Sequence, residues 1–234
     1  MNMTMTARRR GLRNAALAAG VLGIGSFAAM PAPAHGQTND NGAAAATPAA
    51  QTETVSVSVK RHALAGQRVK FGGKVGSGAA DRSVLIQQRT GKGWQTVARA
   101  KTRGGGRFSA YWRPQGTGRK AVRAFVRGDA GAAPAVRNLK GGVTVYRPRF
   151  ASWYGPGLYG NKLACGGRLS PGTVGVAHKT LPCGTKITLH NKGRTLQVKV
   201  IDRGPYVGGR YYDLTAATKQ KLGFGSTGTV WSTK

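Results

Sequence analysis

From residue 53 onward the chain alternates between apolar and polar positions. ETVSVSVK sets Val55, Val57 and Val59 on one face and Ser56, Ser58 and Lys60 on the other, the period of a half-buried β-strand. Similar runs follow as RVKFGGKV, SVLIQQR, WQTVARA, RFSAYW, KAVRAFV and GVTVYR, separated by the breaks GSGAAD, TGKG, RGGG and PQGTG. Roughly seven short strands with turn signals at this spacing predict an immunoglobulin-like antiparallel β-sandwich, over residues 53–147. Trp94 and Trp112 fall on its strands and are expected in its core. Asp81 (AADRS) and Asp129 (RGDAG) fall in turns, where aspartate bonds its own backbone.

Past a short link at 148–151 the texture changes. Strand-like runs ASWYG, TVGVAH, TKITLHN, RTLQVKVID and TGTVWST are broken by many glycines. One helix is predicted in YYDLTAATKQKLGFG: Asp213 or Thr215 can cap it, Ala216, Ala217 and Leu222 favour it, and Gly223 can end it. So short a segment, with many strands and one helix, buries its modest core by closing its sheet. The whole is therefore read as all-β, in two domains.

The N-terminus reads differently. Arg8, Arg9, Arg10 and Arg13 precede the apolar run AALAAGVLGIGSFAAM, and Ala32-Pro33-Ala34 offers a small-x-small cleavage site. This predicts a signal peptide over 1–34, with Sec and Tat export both open, and no membrane span after cleavage. HGQTNDNGAAAATPAAQT, residues 35–52, is small, polar and aperiodic, as expected of a disordered linker. Export changes how the charge is read. The chain has 37 Lys and Arg against 6 Asp and Glu. In an exported protein that excess points to anionic wall polymers, lipid or acidic glycans rather than to nucleic acid. The expected location is the cell wall or medium, and the expected state a monomer.

Two cysteines, Cys165 and Cys183, leave three readings: one disulfide, a thiol nucleophile with His178 as base, or half a metal site. The first is favoured outside the membrane, and no metal or cofactor is expected.

In the C-terminal domain, GVAHKTLPCGTKITL and then VKVIDRGPYVGGRYYDLTAATKQKLGFGSTGTV, opened by ASWYGPGLYGNKLACGG, resemble the six-stranded double-psi β-barrel of the rare lipoprotein A family. Expansins and barwin-like proteins are more distant relatives. The resemblance covers essentially all of 151–234 and none of the preceding domain. It implies binding to peptidoglycan glycan strands. For the family's catalytic members it implies lytic transglycosylase (lyase) chemistry, which breaks the MurNAc–GlcNAc bond without water and leaves a 1,6-anhydro end. Position by position, Asp202 matches the acid of the D-R-G-P run and His178 the histidine of A-H-x-T-L-P. The family's catalytic members also carry a glutamate in A-x-G-E, where this chain reads Ala164-Cys165-Gly166-Gly167.

Asp202 is then either a general acid/base or a turn brace that accepts backbone N–H bonds. His178 either assists it or is a buried structural histidine. Asp213 reads as a helix cap or a brace for Arg210, and His190, in LHNKG, as solvent-facing. Tyr154, Tyr206 and Arg203 are the candidate substrate contacts. Two classes of function stay open: a lytic transglycosylase, or a non-catalytic, expansin-like polysaccharide-binding module. A third is a basic secreted protein whose charge is its function.

Overall fold

A computed structural model describes residues 52–129 and 132–234. The expected signal peptide and all of the expected linker but Thr52 lie outside the described residues. The first part of the chain forms β1 (Val55–Val59), β2 (His62–Leu64), β3 (Val69–Val75), β4 (Ser83–Thr90), β5 (Gly93–Lys101), β6 (Arg107–Trp112), β7 (Gly118–Lys120), β8 (Val122–Val126) and β9 (Ala135–Asn138). These give two antiparallel sheets, in the orders β1-β3-β6 and β5-β4-β8-β9. Phe71, Val75, Phe108 and Trp112 of the first sheet meet Val84, Ile86, Val122 and Val126 of the second in one core. Fully burying such a side chain stabilises the fold by about 1.5–3 kcal/mol.

Two expectations are corrected here. Trp94 is not in the core: it is half-buried at the surface under Arg123, whose guanidinium carbon lies 4.3 Å from the ring centroid. KAVRAFV breaks at Ala121, so that β7 pairs with β10 (Val143–Tyr154) while β8 joins the second sheet. The β10 strand is long and runs straight through the expected link, pairing β2 and β7 at its start and barrel strands at its end.

The remaining elements are β11 (Val176–Ala177), β12 (Lys186–Asn191), β13 (Arg194–Asp202), β14 (Tyr212–Thr215), α1 (Ala216–Leu222) and β15 (Gly228–Ser232). Six strands close in the cyclic order β10-β14-β11-β13-β12-β15, and β15 returns to β10. The β10–β14 and β11–β13 pairs are parallel and the others antiparallel. Inward residues, among them Val176, Ile187, Leu189, Val200, Tyr212, Leu214 and Val230, fill the barrel.

Thr215, not Asp213, caps the helix: its Oγ1 accepts from Thr218 N at 3.3 Å. Gly223 ends it in the left-handed region at φ 58°, where glycine carries no Cβ penalty. Thr215 Oγ1 also donates to Thr218 Oγ1 at 2.9 Å and accepts from Gly175 N at 3.3 Å, so a buried hydroxyl pair joins the helix start to the approach to β11. Thr215→Ala should therefore lower stability by about 1–3 kcal/mol, a lost cap plus unpartnered buried groups. Denaturant unfolding reads this as a lower midpoint at constant slope; an unmoved midpoint would contradict the role assigned to this network.

Candidate functional site

The carboxylates of the first domain are occupied structurally. Glu53 and Asp129 both pair with the buried Arg82, at 3.0 and 2.8 Å, and Asp81 is exposed 3.9 Å from Lys101. Acid/base chemistry therefore has to be sought in the barrel, whose two carboxylates are Asp202 and Asp213.

Strand register brings these two together. Ala177 on β11 lies opposite Asp202 on one side and Asp213 on the other, and Asp213 lies opposite Ser152 on β10. Partners across a sheet share a face, and neighbouring strands are about 4.8 Å apart. The backbones bearing the two carboxylates are thus about 10 Å apart, with only a methyl group between them. Tyr154, two residues beyond Ser152 on the same strand, shares that face. Its hydroxyl is buried without completing a hydrogen bond of normal geometry. Burial raises its pKa first, and the charge of Asp202, a weak hydrogen bond to it, and the charge of Asp213 raise it further, so the phenol stays protonated.

Asp202 ends β13 half-buried. Its Oδ1 accepts from Arg203 N and from Ala164 N, both at 2.9 Å. The turn-brace reading thus holds for one oxygen. Among the described residues Asp202 is in no ion pair. Ala164 belongs to the A-C-G-G segment, which is pinned beside β13 by Cys165 N to Ile201 O at 3.2 Å and folds on itself through Leu163 N to Gly167 O at 3.0 Å. Gly167 has φ +79° and nothing within 4 Å of a built Cβ. Gly167, the position that the resemblance matches to a glutamate, is therefore in the loop that contacts Asp202, and it is open. Cys165 and Cys183 form a disulfide, which removes the thiol-nucleophile and metal-ligand readings.

His178 is only 5% exposed. Its Nδ1 accepts from Thr180 N at 3.1 Å and Leu181 N at 2.9 Å, which places the ring proton on Nε2. Burial, then the charges of Arg203, Arg149 and Lys179, lower its pKa, so it is neutral. The ring packs edge-on to Tyr211 at 4.8 Å, and its link to Asp202 runs through the backbone, His178 N to Asp202 O at 3.1 Å. Arg203 directs Nη1 to the carbonyls of His178 and Leu181 at 3.1 and 2.9 Å, and Nη2 to Cys183 Sγ at 3.2 Å. Both side chains brace the 178–183 loop beneath the end of β13.

Asp213 accepts a short hydrogen bond from Ser152 Oγ and lies 3.6 Å from Arg210 Nε, the brace expected of it. The sequence reading did not place it beside Asp202. The alternation in YDLT, with Tyr212 and Leu214 buried and Asp213 less so, was the available signal. Trp153 and Tyr211 are covered by Lys219 and Arg149, 3.6 and 4.0 Å from the ring centroids. Tyr206 is an open ring, 82% exposed beside Val207 on the loop that follows Asp202. His190 is not solvent-facing: it is half-buried and stacked on His62 of β2 at 4.4 Å, with Tyr146 and Trp231 around it. Among the described residues no three His, Cys, Asp or Glu side chains cluster as metal ligands do.

Residues 150–231 match the sequence model of a family described as lytic transglycolase. The chain is 39% identical over 99 residues to a probable endolytic peptidoglycan transglycosylase RlpA of Synechocystis sp., covering 42% of this chain and 29% of that protein. A probable endolytic peptidoglycan transglycosylase RlpA of Aquifex aeolicus is 45% identical over 83 residues, 35% of this chain and 37% of its own. The chain thus spans well under half the length of these relatives. A solved structure, Streptomyces papain inhibitor, superposes with TM-score 0.30 at 23% identity, over 38% of this chain and 94% of its own. Residues 150–231 form an RlpA-like double-psi β-barrel.

Proposed function

We propose that the barrel binds a peptidoglycan glycan strand across the face carrying Asp202, Tyr154 and Asp213, and cleaves it as a lytic transglycosylase. The observation that carries this reading is the placement of Asp202: one oxygen is fixed by two backbone N–H groups, and the buried hydroxyl of half-buried Tyr154 lies beside the carboxylate. Asp202, protonated, gives its proton to the glycosidic oxygen as the C1–O bond breaks. The carboxylate then takes the proton of the sugar's own C6 hydroxyl as the C1–O6 bond forms, leaving a 1,6-anhydro end. One acid serves both steps, and no second carboxylate is needed to place a water. Tyr154 donates toward the carboxylate, His178 and Arg203 hold the loop below it, and Tyr206 offers a sugar-stacking ring. The relatives' names, peptidoglycan transglycosylases, support this substrate class.

In this reading the protein works outside the cytoplasmic membrane as a monomer, freed of residues 1–34, with an immunoglobulin-like sandwich at 53–147 and the barrel at 151–234. Gly167 favours the second reading, a non-catalytic, expansin-like module that holds glycan on the same face. Gly167→Glu decides between them. A left-handed glutamate there costs about 1–2 kcal/mol, but the space is open. With one sufficient acid, wild-type protein releases soluble 1,6-anhydro-muropeptides from purified sacculi and Gly167→Glu changes the yield little. Release by the glutamate variant alone would establish the non-catalytic reading for the natural chain.

A further inference from the structure

Two cavities near the end of β1 share Ser58 and Val59 in their linings. One is about 800 Å³ and is lined by Lys60, Arg68 and Lys70; the other is about 540 Å³ and is lined by Arg61, Arg137 and Lys140. All six cations are exposed, and neither lining contains an acidic residue. The domain's three acids are engaged elsewhere, as described above. The surface between these cations offers hydrogen-bonding groups of small size: Ser58, Ser109 and Gln67 in the larger cavity, Asn138 in the smaller.

We infer that this double cavity binds a linear polyanion of the polyol-phosphate kind, a phosphodiester-linked wall polymer. The inference rests on the extracytoplasmic reading above but not on cleavage. Charge of one sign, spread along two neighbouring cavities, suits repeating anionic groups better than a single compact anion. The hydroxyl and amide groups between the cations suit a polyol. A single-stranded nucleic acid gains affinity by stacking its bases on free aromatic faces, and the rings near these cavities already carry partners. The Tyr111 ring, on the neighbouring β6, is covered by Arg68 at 3.7 Å, and the His62 ring lining the larger cavity is stacked on His190. Such a site would hold the barrel near its glycan by adding a second attachment on the same chain.

The test is titration of the full chain with poly(glycerol phosphate), beside uncharged dextran and a single-stranded oligothymidine of matched charge number. Lys60→Gln/Arg68→Gln/Lys70→Gln is compared with Lys186→Gln/Lys199→Gln/Lys221→Gln, which removes the same charge from exposed barrel positions. The cavity variant should bind poly(glycerol phosphate) about tenfold or more weakly, with a shallower salt dependence, while the barrel variant stays near wild type. Equal loss in both variants would mean net charge alone and overturn the proposal. So would absence of wild-type binding, or oligothymidine binding that is as tight and as sensitive to the cavity variant. Muropeptide release is scored separately: wild-type polymer binding without release supports the cavity site and sinks only the cleavage reading.

Discussion

Asp202→Asn should release no 1,6-anhydro-muropeptides from sacculi above background, a loss of about 10²–10⁴-fold, the usual contribution of a positioned acid/base. The variant should still fold and still pellet with sacculi. Its geometry is what makes the result interpretable. Asparagine has the shape of aspartate, and its amide oxygen can accept from Ala164 N and Arg203 N as Oδ1 does. The turn and the A-C-G-G segment therefore keep their anchor, and the change falls on the proton chemistry. Asp202→Ala would be a poorer choice, because it leaves both N–H groups without their acceptor, costing about 1–3 kcal/mol for each that is shut off from water. If the asparagine variant releases product as wild type does, Asp202 is a brace and the proposed chemistry fails. If release is lost together with binding and the melting transition, the anchor rather than the acid has been removed.

Much of the architecture was legible because exposed sheet faces alternate. Val55, Val57 and Val59 show that period over enough residues to be read, whereas β2 and β9, at three and four residues, do not. β14 is not legible as a strand in YYDLTAAT, where Asp213 and Thr215 both read as helix caps, because Thr215 is at once its last residue and the N-cap of α1. That overlap hid Asp213, since only a strand register can set it two strands from Asp202. The register itself joins distant segments: Ala177 is inserted between residues 202 and 213 by parallel and antiparallel pairing at once, and no local pattern encodes that. His190 shows the same limit. LHNKG does turn, at Lys192 and Gly193 with φ of 43° and 83°, but His190 is still in the strand, and its stacking partner His62 comes from β2, far away in sequence. Trp94 falls on a strand and is expected in the core, but an arginine over its ring satisfies it at the surface.

Removing the disulfide, by reduction or as Cys165→Ser/Cys183→Ser, should lower stability by about 3 kcal/mol and also reduce muropeptide release at temperatures where the protein is still folded. The first effect follows from chain entropy: the bond closes an 18-residue separation, and a loop of about this length constrains the unfolded chain by roughly that amount. The second follows from what the two ends hold. Cys165 follows Ala164, whose N–H anchors Asp202 Oδ1, and Cys183 Sγ accepts from Arg203 Nη2. Arg203 in turn fastens the carbonyls of His178 and Leu181. Cutting the bond frees the A-C-G-G segment from the loop beneath it, so the acid loses position even in the folded protein. Denaturant midpoints report the entropic effect, and release rates well below the melting transition report the positioning effect. A lower midpoint with an unchanged low-temperature rate would show that the bond only stabilises the fold. An increase in rate on reduction would revive a free thiol as the nucleophile and overturn Asp202 as the acting group.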